Sequence, residues 1–255
     1  MTPAALILLG LFGLVVGSFL NVCIGRLPAG ESIVSPGSRC PSCRTPIAWY
    51  DNVPVVSYLV LGGRCRRCRA SISSRYPLTE LATAVAFVLQ GLAVGADPPL
   101  LGVRLLFTAA LIALFGTDLE TQRLPNVITL PGIVVGALVS LFLPPGITNS
   151  LLGIACGGGI LWLVRAGWKR ATGVDGMGLG DVKMLAMIGA FLGWRQVWLV
   201  LFLSSLIGAL VGALLLVAGR RSWQTRLPFG TFLAAAAFVA SLSGEAIVAW
   251  YLAIY

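Results

Sequence analysis

The chain has 255 residues, of which 58% are hydrophobic and 11% charged, with a formal charge of +9 and a mean hydropathy of +0.94. A soluble domain carries about 25% charged residues, so this composition excludes a water-soluble globular protein and points to an integral membrane protein. The basic excess does not by itself call for nucleic acid, because Lys and Arg also gather in the cytoplasmic loops of membrane proteins.

Apolar segments follow one another at about 3–22, 79–96, 99–117, 127–144, 148–165, 183–194, 196–218 and 228–254. Most approach the roughly 20 residues that a membrane-spanning helix needs. The short alternating strands of an outer-membrane barrel are not evident. The expected fold is therefore an all-α polytopic membrane protein with about eight transmembrane helices, seven or nine remaining open. The first segment lacks a basic start and an A-x-A cleavage site and reads as a retained helix. The sixth is short and reads as tilted or partly re-entrant. The last, interrupted by Ser243-Gly244-Glu245, reads as one span.

The loops at 23–78, 118–126, 166–182 and 219–227, with their flanks, hold 16 of the 18 Lys and Arg residues; Arg104 and Arg195 fall near the opposite ends. The positive-inside rule makes these four loops cytoplasmic and turns both termini outward. Topology thus accounts for the charge, and no nucleic-acid partner is expected. The expected division is a first transmembrane helix at 1–22, a cytoplasmic loop domain at 23–78 and a transmembrane core at 79–255.

The loop at 23–78 is rich in Pro, Gly, Ser and Arg and has no apolar core, so it needs a staple. Cys40-Pro41-Ser42-Cys43 and Cys65-Arg66-Arg67-Cys68 supply one: two C-x2-C turns separated by 21 residues. That spacing suits a tetrahedral four-cysteine Zn2+ site, structural because no coordination position is left open. Nearby arginines favour thiolate over thiol. Two disulfides are the competing reading, disfavoured on a reducing cytoplasmic face. Cys23 and Cys156 read as small apolar residues in or beside helices.

The sequence contains no histidine, which removes Ser–His and Cys–His catalysis and histidine metal sites. Nine acidic residues remain. Asp97 reads as a solvated outer-loop residue, Asp51 and Glu31 as part of the four-cysteine loop, and Glu245 as a helix–helix contact. Glu80 opens the second span, where a helix N-terminus favours a carboxylate. Asp118, ending the third span in "LIALFGTDLETQRLPN", and Asp181, opening the sixth in "GLGDVKMLAMIGAF", both fall at the cytoplasmic edge. Ionisable groups at membrane depth are functional candidates. Either alone is equally well read as a cap, an interface residue or a partner of Arg123 or Lys183. Together they suggest an aspartyl dyad in which one carboxyl keeps a proton while the other activates water. The glycines of "GMGLG" at 176–180 would let an extended substrate approach the backbone.

These features resemble a known family. "GxGD" before an apolar helix, with a second Asp on an earlier span, resembles the membrane aspartyl proteases. The whole chain is similar to the bacterial type IV prepilin peptidases, through "GSFLNVCIGRLP" at 17–28, "CPSC" at 40–43, "WYDNVPVVSYLVLGGRCRRC" at 49–68 and "RYPLTELAT" at 75–83. "TDLETQRLPNVITLP" at 117–131, "GMGLGDVKMLAMIGAFLGW" at 176–194 and "LPFGTFLAAAA" at 227–237 continue it in order. The resemblance implies a bacterial inner-membrane enzyme that cuts the leader of prepilins or pseudopilins after a glycine, on the cytoplasmic side, with Asp118 and Asp181 as the catalytic pair. It also implies N-methylation of the new amino terminus, usually phenylalanine, from S-adenosylmethionine, an activity that accompanies the cysteine-bearing loop. Two positions depart from the family pattern: Asn126 stands where a second acidic residue is frequent, and Asp175 where Glu is common. No glycine-rich S-adenosylmethionine loop of the soluble kind is visible. Asp51, Asn52 and Glu80 are candidates for that site by polarity and position only, and Glu120 for holding the basic end of a leader. The rival classes are a transporter using the two aspartates as proton or cation relays, and a non-catalytic zinc scaffold. Both aspartates at one face, and no inverted repeat, count against the transporter. Oligomeric state is not legible.

Overall fold

The computed structural model describes residues 1–218 and 227–254. Of the basic loop expected at 219–227, only Leu227 lies among them. The described residues form α1 (Pro3–Arg26), α2 (Val56–Val60), α3 (Arg75–Val94), α4 (Pro98–Thr121), α5 (Asn126–Val139), α6 (Ile147–Thr172), α7 (Leu179–Leu192), α8 (Trp194–Val217) and α9 (Phe229–Ile254). They contain no β-strand beyond two isolated bridges.

Each expected apolar segment falls on one of the eight longer helices. Six are long and apolar enough to cross a membrane: α1, α3, α4, α6, α8 and α9. The chain is a multi-pass membrane protein. The other two, α5 and α7, have 14 residues each, or about 21 Å at 1.5 Å per residue, short of a hydrocarbon core of about 30 Å. For α7 the reason is its surroundings. Every residue from Met184 to Leu192 is buried, and α5, α6, α8 and α9 all pack against it. A helix that is apolar all round belongs inside a bundle, where lipid thickness does not dictate its length.

The chain forms two compact units, Met1–Ala113 and Leu114–Tyr255. In the first, α1 starts at Thr2, whose hydroxyl accepts from the Ala5 N–H at 3.3 Å, with Pro3 at the first helical position. α1 lies tightly on α3. A Cβ on Gly13 would sit 2.6 Å from Ala84 Cα, and one on Gly17 2.7 Å from Glu80 Cα, so only glycine permits this approach. Gln90 of α3 donates to Thr108 of α4 at 3.1 Å. Asp97, read from sequence as a solvated residue, caps α4 by accepting from Leu100 N–H at 3.1 Å.

In the second unit α6 meets α7 through Gly153 and Gly189, where a Cβ on either would collide with the other's carbonyl, and through Gly157, where it would lie 2.5 Å from the Leu185 carbonyl. Ser140, which ends α5, and Ser150 of α6 both donate to the Ala190 carbonyl of α7, at 3.3 and 2.8 Å. Small residues and interhelical hydroxyls of this kind hold helices together where lipid supplies no hydrophobic drive.

Candidate active site and four-cysteine cluster

Asp118 stands near the C-terminal end of α4 and is 5% exposed. Its Oδ2 accepts from the Thr231 N–H at 2.8 Å and from the Thr231 hydroxyl at 3.1 Å. Thr231 lies in the first turn of α9, so the carboxyl occupies the positive end of that helix, where unpaired N–H groups favour an anion. Gly230 makes room: a Cβ there would come within 3.0 Å of Asp118 Oδ2. Asp181 lies in the first turn of α7, half-buried.

Leu124 links the two positions. A Cβ on Gly180 would sit 2.9 Å from Leu124 Cβ, and one on Gly230 3.0 Å from Leu124 Cδ1. The structure thus brings the C-terminal end of α4 and the N-terminal ends of α7 and α9 to one end of the second unit. Lys183, weighed as a partner for an aspartate, instead donates to Asn126 Oδ1 at 2.9 Å. Glu120 is exposed at the end of α4.

The glycine stretch before α7 is tied to the end of α6. Arg165 donates through Nε to the Met177 carbonyl at 3.0 Å and pairs with Asp175 at 2.9 Å, while Lys169 reaches Asp175 at 3.4 Å. Gly176 lies against the Trp168 indole, which a Cβ would meet at 2.5 Å. Asp175, read as a departure from the family pattern, therefore anchors the loop that leads to Asp181. Thr231 and Arg165 were not singled out from sequence. Their signals were faint: a threonine just inside an apolar run, and one basic residue among four at 165–183.

In the first unit the two C-x2-C turns repeat one design. Cys40 N–H donates to the Thr45 carbonyl and Cys65 N–H to the Ala70 carbonyl, at 3.0 and 2.8 Å. The residue after each second cysteine, Arg44 and Arg69, takes a left-handed conformation with φ of 56° and 59°. Single bridges Arg39–Pro46 and Arg64–Ser71 close the turns in the same register. The four sulfurs converge within 4.8 Å of one another, and Cys40 Sγ lies 3.7 Å from Cys68 Sγ. All six cysteines are free thiols. Bonds from the Thr45 hydroxyl and amide hold the Cys43 thiol down to about 6. The Ala70 amide pulls Cys68 the same way, but burial and the other thiols prevail and push it up to about 11. The cluster could hold a metal ion.

The arginines near the cysteines do not all serve the sulfurs. Arg66 grips Asp51 through Nε and Nη2, at 2.8 and 2.6 Å, and lies over the Tyr50 ring. This fork holds the Asp51 carboxyl below the usual range. Within the same unit a cleft of 1710 Å³ opens between the cysteine loop and α1 and α3. Asp51, Asn52 and Glu80 all line it.

A multi-pass helical protein with two carboxyls gathered at one end of a bundle, and a four-thiol loop beside its first helices, belongs to a narrow class of membrane proteins. Residues 11–94 match the family described as the bacterial peptidase A24 N-terminal domain, and residues 105–213 the type IV leader peptidase family. Curated relatives are similar over nearly the whole chain. A prepilin leader peptidase/N-methyltransferase of Aeromonas salmonicida is 38% identical over 95% of this chain and 92% of its own length. Proteins of the same description from Pseudomonas aeruginosa (39%; 95% and 91%) and Neisseria gonorrhoeae (37%; 99% and 96%) are comparable. No solved structure matches. The chain belongs to the type IV leader peptidase family.

Proposed function

We propose that this protein cleaves the leader peptide of type IV prepilins or pseudopilins and then N-methylates the amino terminus so exposed. The observation that supports the first activity is that Gly180, next to Asp181, and Gly230, against Asp118, both pack on Leu124. Two carboxyls brought close together would share a proton. The ionised partner draws a proton from water as it attacks the scissile carbonyl after the leader's glycine, and the protonated partner donates to the developing oxyanion and then to the leaving amine. The Thr231 amide and hydroxyl hold Asp118 in place. The open backbone of "GMGLG" receives the extended leader junction. The dyad acts at the cytoplasmic face of the bacterial inner membrane, with both termini outward and eight crossings once α5 and α7 are included. In this reading residues 79–255 form the peptidase core, while 1–22 and the loop at 23–78 form the anchor helix and the methyltransferase-associated part.

The donor set of the loop fits Zn2+. Ligand bonds of about 2.3 Å in a tetrahedron place neighbouring sulfurs about 3.8 Å apart, close to the 3.7 Å between Cys40 and Cys68. Cys40, Cys43, Cys65 and Cys68 would hold the ion, which staples the loop. The names of the relatives imply S-adenosylmethionine, which supplies a methyl group on a sulfonium. The 1710 Å³ cleft accommodates it together with a peptide end. Asp51 and Asn52 offer it acceptors at the loop side. Mass spectrometry of a prepilin incubated with the purified protein tests both activities: loss of the leader, and a further gain of one methyl group when S-adenosylmethionine is present. An intact leader refutes the first, and no methyl gain refutes the second.

A further inference from the structure

Asn21 carries an unexplained buried acceptor, and Glu80 stands near it on the facing helix. Glu80 is 7% exposed and Asn21 4%, and both line the cleft of the first unit. They are neighbours across the α1–α3 seam. Gly17 lies against Glu80 Cα, and Asn21, one turn further along α1, donates through Nδ2 to the carbonyl of Tyr76, one turn earlier on α3. That bond fixes the amide so that its oxygen is the free end. Asn21 Oδ1 is buried and accepts from no donor among the described residues, an arrangement that costs about 1–3 kcal/mol unless something supplies the missing hydrogen. Glu80 accepts from the Val55 N–H through Oε2 at 2.7 Å and also from the Ser18 hydroxyl. Val55 is held at φ 61°, a conformation that a β-branched residue adopts only under constraint and that concentrates where ligands are gripped. Among the described residues no ion pair joins Glu80 to a Lys or Arg.

An orphan carbonyl oxygen beside a carboxyl calls for a compact cation with several N–H donors. We propose that Asn21 and Glu80 form a subsite for a primary amine at the α1–α3 wall of this cleft. The inference rests on the methyltransferase reading, which brings two primary amines to the protein: the α-amine exposed by leader cleavage and the α-amine of the methionine part of the methyl donor. The surroundings suit the first, because Val15, Phe19, Val22 and Tyr76 line the same cleft and match the apolar residues that follow a pilin's new amino terminus. Bound there as an ammonium, the α-amine must lose a proton before its nitrogen can take a methyl group. Glu80 is placed to accept it: the N–H bond breaks, an O–H bond forms on the carboxylate, and the nitrogen keeps the electron pair.

The test uses the full-length protein in detergent and a synthetic peptide that begins with phenylalanine and continues with apolar residues, in free-amine and N-acetyl forms. Titration calorimetry without the methyl donor should show the free amine binding at least about tenfold tighter, the equivalent of one charge-assisted contact. Glu80→Gln and Asn21→Ala should each bring that ratio towards one. In a second arm S-adenosylmethionine alone is titrated into the same proteins. Unchanged binding there assigns the subsite to the peptide amine, whereas a tenfold loss with the peptide ratio intact assigns it to the donor's amine. If both variants keep the peptide ratio and the donor affinity of the parent, the subsite is refuted. Bound zinc and unfolding temperature report whether Glu80→Gln is folded; should it not be, Asn21→Ala carries the test. A parent protein that adds no methyl group to a cleaved pilin would overturn the methyltransferase reading itself, an outcome distinct from loss of the subsite.

Discussion

Replacing Thr231 with valine isolates the contribution of the α9 terminus to the aspartate pair. Valine keeps the shape and the backbone N–H at 2.8 Å from Asp118 Oδ2, and removes only the hydroxyl at 3.1 Å. A hydrogen bond to a charged group is worth about 1.5–3 kcal/mol, and each 1.36 kcal/mol is about tenfold in rate. The surviving amide bond puts the expected loss at the lower end, about tenfold to thirtyfold. The hydroxyl touches the carboxyl and not the leader, so the loss should appear in kcat and leave KM nearly unchanged. Thr231→Ser, which restores the hydroxyl, should recover most of the rate. The assay is initial-rate cleavage of a purified prepilin in detergent. A valine variant as fast as the parent, or a serine variant as slow as valine, would refute the role given to this contact.

Arg165→Ala frees the Met177 carbonyl and leaves Asp175 to Lys169 alone, so it should raise KM for the prepilin several-fold with a smaller change in kcat, read from the same assay. Gly153→Ala drives a Cβ into the Gly189 carbonyl; overpacking of this kind costs about 1–3 kcal/mol, visible as a lower unfolding temperature in detergent. The proposed Zn2+ should leave the loop as the medium is acidified, because protons compete with it for the four thiolates. Thr45→Val removes the hydroxyl 3.4 Å from Cys43 Sγ, and the pH of half-release, followed with a chromogenic chelator, should move upward. Cys40→Ser should lower bound zinc and expose residues 23–78 to protease.

Much of this architecture was legible because lipid imposes simple rules. All eight expected apolar segments correspond to helices, with ends displaced by a few residues, as at α1, which runs on to Arg26 beyond the expected 22. What the hydropathy pattern could not give was rank. It shows that 183–194 is apolar but not that the helix is walled in by four others, which is why α7 is short. The cysteine spacing announced a cluster because two tight turns leave thiols few other arrangements. The aspartates stood out because carboxyls are rare beside apolar helices. Their support did not: Thr231 is a neutral residue 113 positions from Asp118 in sequence, and nothing local marks it as a partner. Asn21, within "GSFLNVCIGRLP", carried a signal that went unread, since an amide inside an apolar span needs partners.

The central claim is that Asp118 and Asp181 act as one unit on water and a peptide bond. Leader cleavage by Asp118→Asn and by Asp181→Asn, each purified and folded, tests it most directly. Each single substitution should abolish cleavage, and the double variant should be no worse than either, because half of a proton-sharing pair has no function alone. Cleavage retained by either single variant would contradict the account.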